Sequence, residues 1–120
     1  MKVGNTMSEY LVLIYEDESK WEAATPDVAQ EMMSAHGAFG QKHGASLRGG
    51  NALEPTSSAT TLRHDAGGKL VVTDGAFFET KEALGGYYVI DAKNLDEAIE
   101  IASHVPASFG GVEVRPIRPV

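Results

Sequence analysis

Residues 71–82 read Val-Val-Thr-Asp-Gly-Ala-Phe-Phe-Glu-Thr-Lys-Glu, and they gather acids, a cation and two aromatics into one turn and its loop. Asp74-Gly75 allows a sharp reversal, because glycine accepts positive φ and aspartate can bond its own backbone. The reversal would hold the Asp74 carboxylate in place by backbone geometry. His36, on a predicted helix, is the matching base: its reference pKa of about 6.5 lies near neutral pH. Together they read as a pair for general acid–base catalysis, with Asp74 orienting or charging the imidazole. Lys81 can meet a substrate carboxylate as a point charge. Glu79 stands at the rim, Tyr87 or Tyr88 offers a hydroxyl on the sheet face, and Phe77 is expected to anchor the loop by burial. Each has a structural alternative: Asp74 as a turn cap, Lys81 paired to a neighbouring acid, His36 as a hydrogen-bonded structural histidine.

His36, Asp74 and Glu79 are the one set that could converge on a metal, but no close ligand spacing such as His-Glu-x-x-His is present. No metal or cofactor is expected. Phosphate-loop, dinucleotide and nucleophile-elbow motifs are absent from the sequence.

The elements that must position these groups follow from pattern. Residues 10–15, Tyr-Leu-Val-Leu-Ile-Tyr, are apolar at every position, which predicts a strand buried on both faces. Residues 16–20 read as an acidic loop, and Trp21 as an aromatic covering the core edge or walling a pocket. Thr25-Pro26-Asp27 starts a helix that ends at Gly44, with Val28, Met32, Ala35 and Phe39 inward. His43 sits near its end, where a cation suits the dipole. Residues 45–53 form a strand interrupted at Gly49-Gly50 by a bulge or a close approach. Residues 59–64 and 69–73 flank a four-residue turn as a hairpin. Residues 85–91 form a further strand. Asn94 caps a second helix with Leu95, Ala98, Ile99 and Ala102 on one face. Residues 112–117 close the chain as an edge strand, since Pro116 cannot donate to a ladder.

Composition narrows the class. The chain has 120 residues, 42% hydrophobic and 22% charged, with a net charge of -7. This is one globular domain, residues 8–120, behind a flexible extension of residues 1–7. An acidic protein repels phosphate backbones, so no nucleic-acid partner is expected. Cysteine is absent, which removes disulfides and thiolate chemistry. No apolar run approaches the roughly 20 residues that cross a bilayer, and no signal peptide is visible. No membrane partner is expected, and the cytoplasm is the expected location.

With the hairpin set aside, the order is strand, helix, strand, strand, helix, strand. That is an α+β, ferredoxin-like split βαβ pair with an inserted β-hairpin: an antiparallel sheet with helices on one face. The doubly apolar first strand then asks for cover on the open face, and a second copy supplies it as a homodimer.

Residues 10–16, the Asp-Gly-x-Phe-x-Glu-Thr-Lys-Glu run of residues 74–82, residues 84–88 and residues 112–116 resemble the DGPF branch of the YCII-related proteins. The resemblance covers nearly the whole chain, with Ala76 where that branch has proline. It implies a dimeric α/β barrel. Short relatives are thought to use a His-Asp pair with the histidine on the first helix; His36 falls about one turn later. Analogy to barrel enzymes of this architecture implies a lyase or isomerase acting on a small acidic or cyclic ligand, such as a lactone. The other reading is a non-enzymatic ligand-sensing or protein-binding module with a separate regulatory partner, since relatives occur beside or fused to alternative sigma factors.

Overall fold

The computed structural model describes residues 7–77 and 80–119. Of the expected extension, only Met7 lies among them. Strand β1 (Ser8–Asp17) pairs antiparallel with β5 (Glu82–Ala92) on one side and β6 (Gly110–Pro116) on the other. Strand β2 (Leu47–Ala52) adds to the far side of β5, giving the antiparallel order β2-β5-β1-β6. Helices α2 (Pro26–His43) and α3 (Leu95–Ala102) contribute to a single core with that sheet. This is the expected ferredoxin-like α+β arrangement, with β6 at the edge where Pro116 is tolerated.

Strand alternation decides what each face does. Tyr10, Val12 and Ile14 point to the helices and are buried, together with Ile90 and Ala92 from β5. Leu11, Leu13 and Tyr15 point the other way and are half-buried. The expected double burial of β1 is therefore complete on the helical face alone within one chain.

The first helix forms as its signals predict. The Thr25 hydroxyl accepts from the Val28 amide, Pro26 occupies the first turn, and Lys42 and His43 lie in the last turn. Helix α3 is closed by Asn94, whose side chain accepts from the Glu97 amide, while the Glu97 carboxylate accepts from the Lys93 amide. Its buried residues are Ala98, Ile101 and Ala102. Leu95 and Ile99, expected inward, are about half exposed. The buried arc is centred on Ala98, flanked by Ile101 and Ala102, and continues into buried Val105. The ends of the two helices meet where His43 Nε2 lies 2.9 Å from His104 Nδ1. Parallel ring planes with centroids 5.0 Å apart place these imidazoles edge to edge, nitrogen facing nitrogen.

The acidic loop expected at residues 16–20 is not a loop. Strand β1 continues through Asp17, and a short helix α1 (Glu18–Glu22) follows. Asp17 caps it, accepting from the Ser19 amide and hydroxyl. Register slips between Leu47 and Gly49, as the Gly49-Gly50 pair suggested. A Cβ on Gly50 would come within 2.6 Å of the Tyr87 carbonyl and 2.7 Å of the Tyr88 ring, so glycine is required there.

The inserted segment is a separate two-stranded sheet, β3 (Thr60–His64) with β4 (Leu70–Asp74). Asp65 shapes its turn by accepting from the Gly67 and Lys69 amides. Before it, Glu18 holds the short 3-10 turn Thr56–Ser58 by accepting from the Thr56 amide and hydroxyl. Gly75 has φ of 97°, the conformation the Asp-Gly pair called for.

Candidate functional site

Helix α2 brings His36 over the helical face of the sheet, and β5 brings Tyr88 up to meet it. The His36 Nδ1 lies 2.7 Å from the Tyr88 hydroxyl. Phe39, the one buried residue of α2, packs on the same tyrosine with ring centroids 4.9 Å apart, fixing the phenol's direction. Burial pushes the His36 pKa below its ordinary value, and the Glu16 carboxylate pulls partly the other way. Burial also pushes the Tyr88 phenol up, so it stays protonated at neutral pH. Among the described residues His36 Nε2 takes no hydrogen bond.

Glu16 is a buried carboxylate at the C-terminal end of β1. It accepts from Trp21 Nε1 at 3.1 Å and from the Phe109 amide at 3.1 Å. Trp21 and Phe109 meet edge to face at 5.0 Å. The tryptophan is half-buried against Phe109 and holds a negative charge whose field reaches His36. Glu16 did not stand out as a site residue in the sequence, and Tyr88 stood there only as the alternative to Tyr87. The signal for Glu16 was available: it shares the parity of Val12 and Ile14 and therefore their face.

The other expected residues lie elsewhere. Asp74 is exposed on β4, at the root of the hairpin, opposite Thr60. Among the described residues no hydrogen bond or ion pair joins it to His36. Tyr87 faces away from the helices, since it pairs with Leu13 while Tyr88 pairs with Val12. Its hydroxyl accepts from Asn51 Nδ2 at 3.0 Å. Glu79 lies outside the described residues. Phe77 is 56% exposed, with the Arg63 guanidinium 4.3 Å above its ring. The expected burial of Phe77 is not found; the turn before it is tied by Gly75, which donates its amide to the Ala59 carbonyl and accepts from the Thr61 hydroxyl.

Lys81 lines an open cleft of about 540 Å³ at the end of the sheet, with Lys20, Thr80, Asp17, Glu82 and Phe109. Two ammonium groups and a hydroxyl meet two carboxylates there, a charge pattern suited to a small polar molecule. Asp17 is already engaged by Ser19. No group of three or more His, Cys, Asp or Glu suited to a metal occurs among the described residues.

A protein of Rhizobium meliloti (strain 1021), described as uncharacterized, is 42% identical to this chain over 113 residues, 90% of each. The family model for the YCII-related domain matches residues 8–120. With a match that spans both helices, the sheet and the hairpin, the chain belongs to the YCII-related domain family.

Proposed function

We propose that this YCII-related protein, of the DGPF branch, binds a small acidic or cyclic molecule and moves a proton on it, as a lyase or isomerase. The observation that carries this is the 2.7 Å bond between His36 and Tyr88. When Nδ1–H donates to the phenol oxygen, Nε2 carries a lone pair and is a base. When the phenol donates to Nδ1, neutral His36 holds its proton on Nε2 and is an acid. One side chain can thus remove a proton and return it, which an isomerisation needs. The imidazole is kept neutral by its partial burial. Lys81 with Lys20 is proposed to take the anionic group of the ligand. Asp74 joins His36 in this reading only as a residue supplied by another copy, since the protein is proposed to act as a homodimer through the half-buried Leu11–Leu13–Tyr15 face. The cytoplasm remains the proposed location.

The test is an NMR titration of His36 in the parent and in Tyr88→Phe, followed by addition of small lactones and carboxylic acids. The expected result is a changed His36 pKa in the variant and ligand-dependent shifts at His36 in the parent. A His36 resonance indifferent to both would overturn the reading. The second reading is the ligand-sensing or protein-binding regulatory module with a separate protein partner. It has in its favour that neither of the two clefts described among these residues is lined by a histidine.

A further inference from the structure

We propose that the β3–β4 hairpin is an arm that packs the face carrying Leu62, Leu70 and Val72 onto a second copy of this chain. This rests on the homodimer reading above and adds to it a second contact surface, away from the open sheet face. The register places Leu62 opposite Val72 and His64 opposite Leu70, so the three apolar side chains share one face of the ribbon. All three are about half exposed. The ribbon pairs with no strand of the main sheet. A lone two-stranded hairpin is marginally stable in water and needs further strands or a packed face to persist. Something must therefore cover this face.

The dimensions say what the cover is. The chain exposes 8532 Å², about a third more than the ~6,300 Å² expected for a compact monomer of this mass. Its radius of gyration is 17.1 Å, against about 13.5 Å for a compact domain of this length. It is a plate, 48 × 45 × 17 Å. The surplus, roughly 2,000 Å², is what one partner contributes to an obligate homodimer interface at the larger end of the usual range. A small peptide or ligand would not remove it, whereas a second plate would. Two surfaces are ready for that contact: the open sheet face with Leu11, Leu13 and Tyr15, and the arm.

One consequence concerns the acid–base pair. Asp74 has the parity of Leu62, Leu70 and Val72 in the ribbon and lies on the same face. An arm docked by that face delivers the Asp74 carboxylate to the other copy.

The chain contains no cysteine, so Val72→Cys and Gln41→Cys each introduce a unique thiol, the first on the arm and the second on the exposed side of α2. Labelling with a maleimide is followed across a dilution series, alongside sedimentation of the parent, Leu62→Asp and Leu13→Asp. The expected result is a dimeric parent and a thiol at position 72 that reacts at least about tenfold more slowly than one at position 41. That protection should vanish on dilution, and Leu62→Asp should sediment as a monomer or a weakened dimer. Equal labelling rates in a parent that sediments as a dimer and is dissociated by Leu13→Asp would keep the homodimer and overturn the arm. A monomeric parent at micromolar concentration would overturn both, and a slow thiol in that monomer would mean the arm is covered by its own chain.

Discussion

Helices α2 and α3 cover the same face of one sheet, yet they are attached to it in different ways. Helix α3 has eight residues and buries three, Ala98, Ile101 and Ala102. Two of those are alanines, so its backbone lies close to the strands. Helix α2 has 18 residues and buries only Phe39. It stands on long side chains, with Phe39 and His36 both against Tyr88. The short helix is fastened by close packing. The long one is propped over the sheet by rings, one of them titratable. The difference teaches that the stability of this layer and its candidate chemistry are carried by separate helices.

The comparison breaks first if truncations fail to sort by helix. Ile101→Ala on α3 is expected to cost about 2–5 kcal/mol, read as a large fall in melting temperature. Met33→Ala on α2, whose side chain is 70% exposed, is expected to stay within about 0.5 kcal/mol. A costly Met33→Ala would show that α2 is packed from a side not seen in one chain, which a dimer would explain.

Next in size is Glu16→Ala, which leaves the Trp21 indole and the Phe109 amide without their acceptor. About 1–3 kcal/mol is expected, together with a further drop in the His36 pKa, because the charge that raised it is gone. Tyr88→Phe removes a single hydroxyl, and about 0.5–1.5 kcal/mol is expected by chemical denaturation.

The pH dependence sharpens the same contrast. The His36 pKa is depressed in the folded chain, so the unfolded chain binds more protons in the interval between the folded value and about 6.5. Stability from this group is full above pH 6.5 and is lost as pH falls toward the folded value. His43 on the same helix has the same sign, from burial and then from His104 and Lys42, with Glu100 opposing. His36→Gln is expected to flatten the decline of melting temperature below pH 6.5, leaving the part due to His43.

A modest effect is expected at Phe77. Its ring is exposed beneath Arg63, and Phe77→Ala is expected to cost less than truncating a buried phenylalanine does, about 3–5 kcal/mol. A loss of 3 kcal/mol in thermal unfolding would restore the buried anchor that the sequence suggested.

The fold was legible because its signals are local. Thr25-Pro26 and Asn94 announce helix starts by cap chemistry, and the unbroken apolar run of residues 10–15 announces a buried strand. The site was less legible because it is made by faces meeting. Tyr88 and Tyr87 are equivalent in sequence, and only the register with Val12 and Leu13 shows which one lies under α2. Glu16 was hidden by its acidic neighbours, which suggested a loop and masked the strand parity that buries it. The Asp-Gly run was conspicuous in sequence and its Asp74 is exposed in one chain, because conspicuous local chemistry does not say what a hairpin leans on. Leu95 and Ile99 show the limit of a helical wheel: a partial rotation of the buried arc toward Ile101 leaves two large side chains half exposed.

The contact between His43 and His104 fastens the far ends of the two helices through facing nitrogens. Two facing nitrogens can share one hydrogen, and a second has nowhere to go. One of the two facing nitrogens must therefore keep a lone pair for the other. The clasp between the propped helix and the packed one is a single shared hydrogen, and it joins two elements that are held to the sheet in different ways.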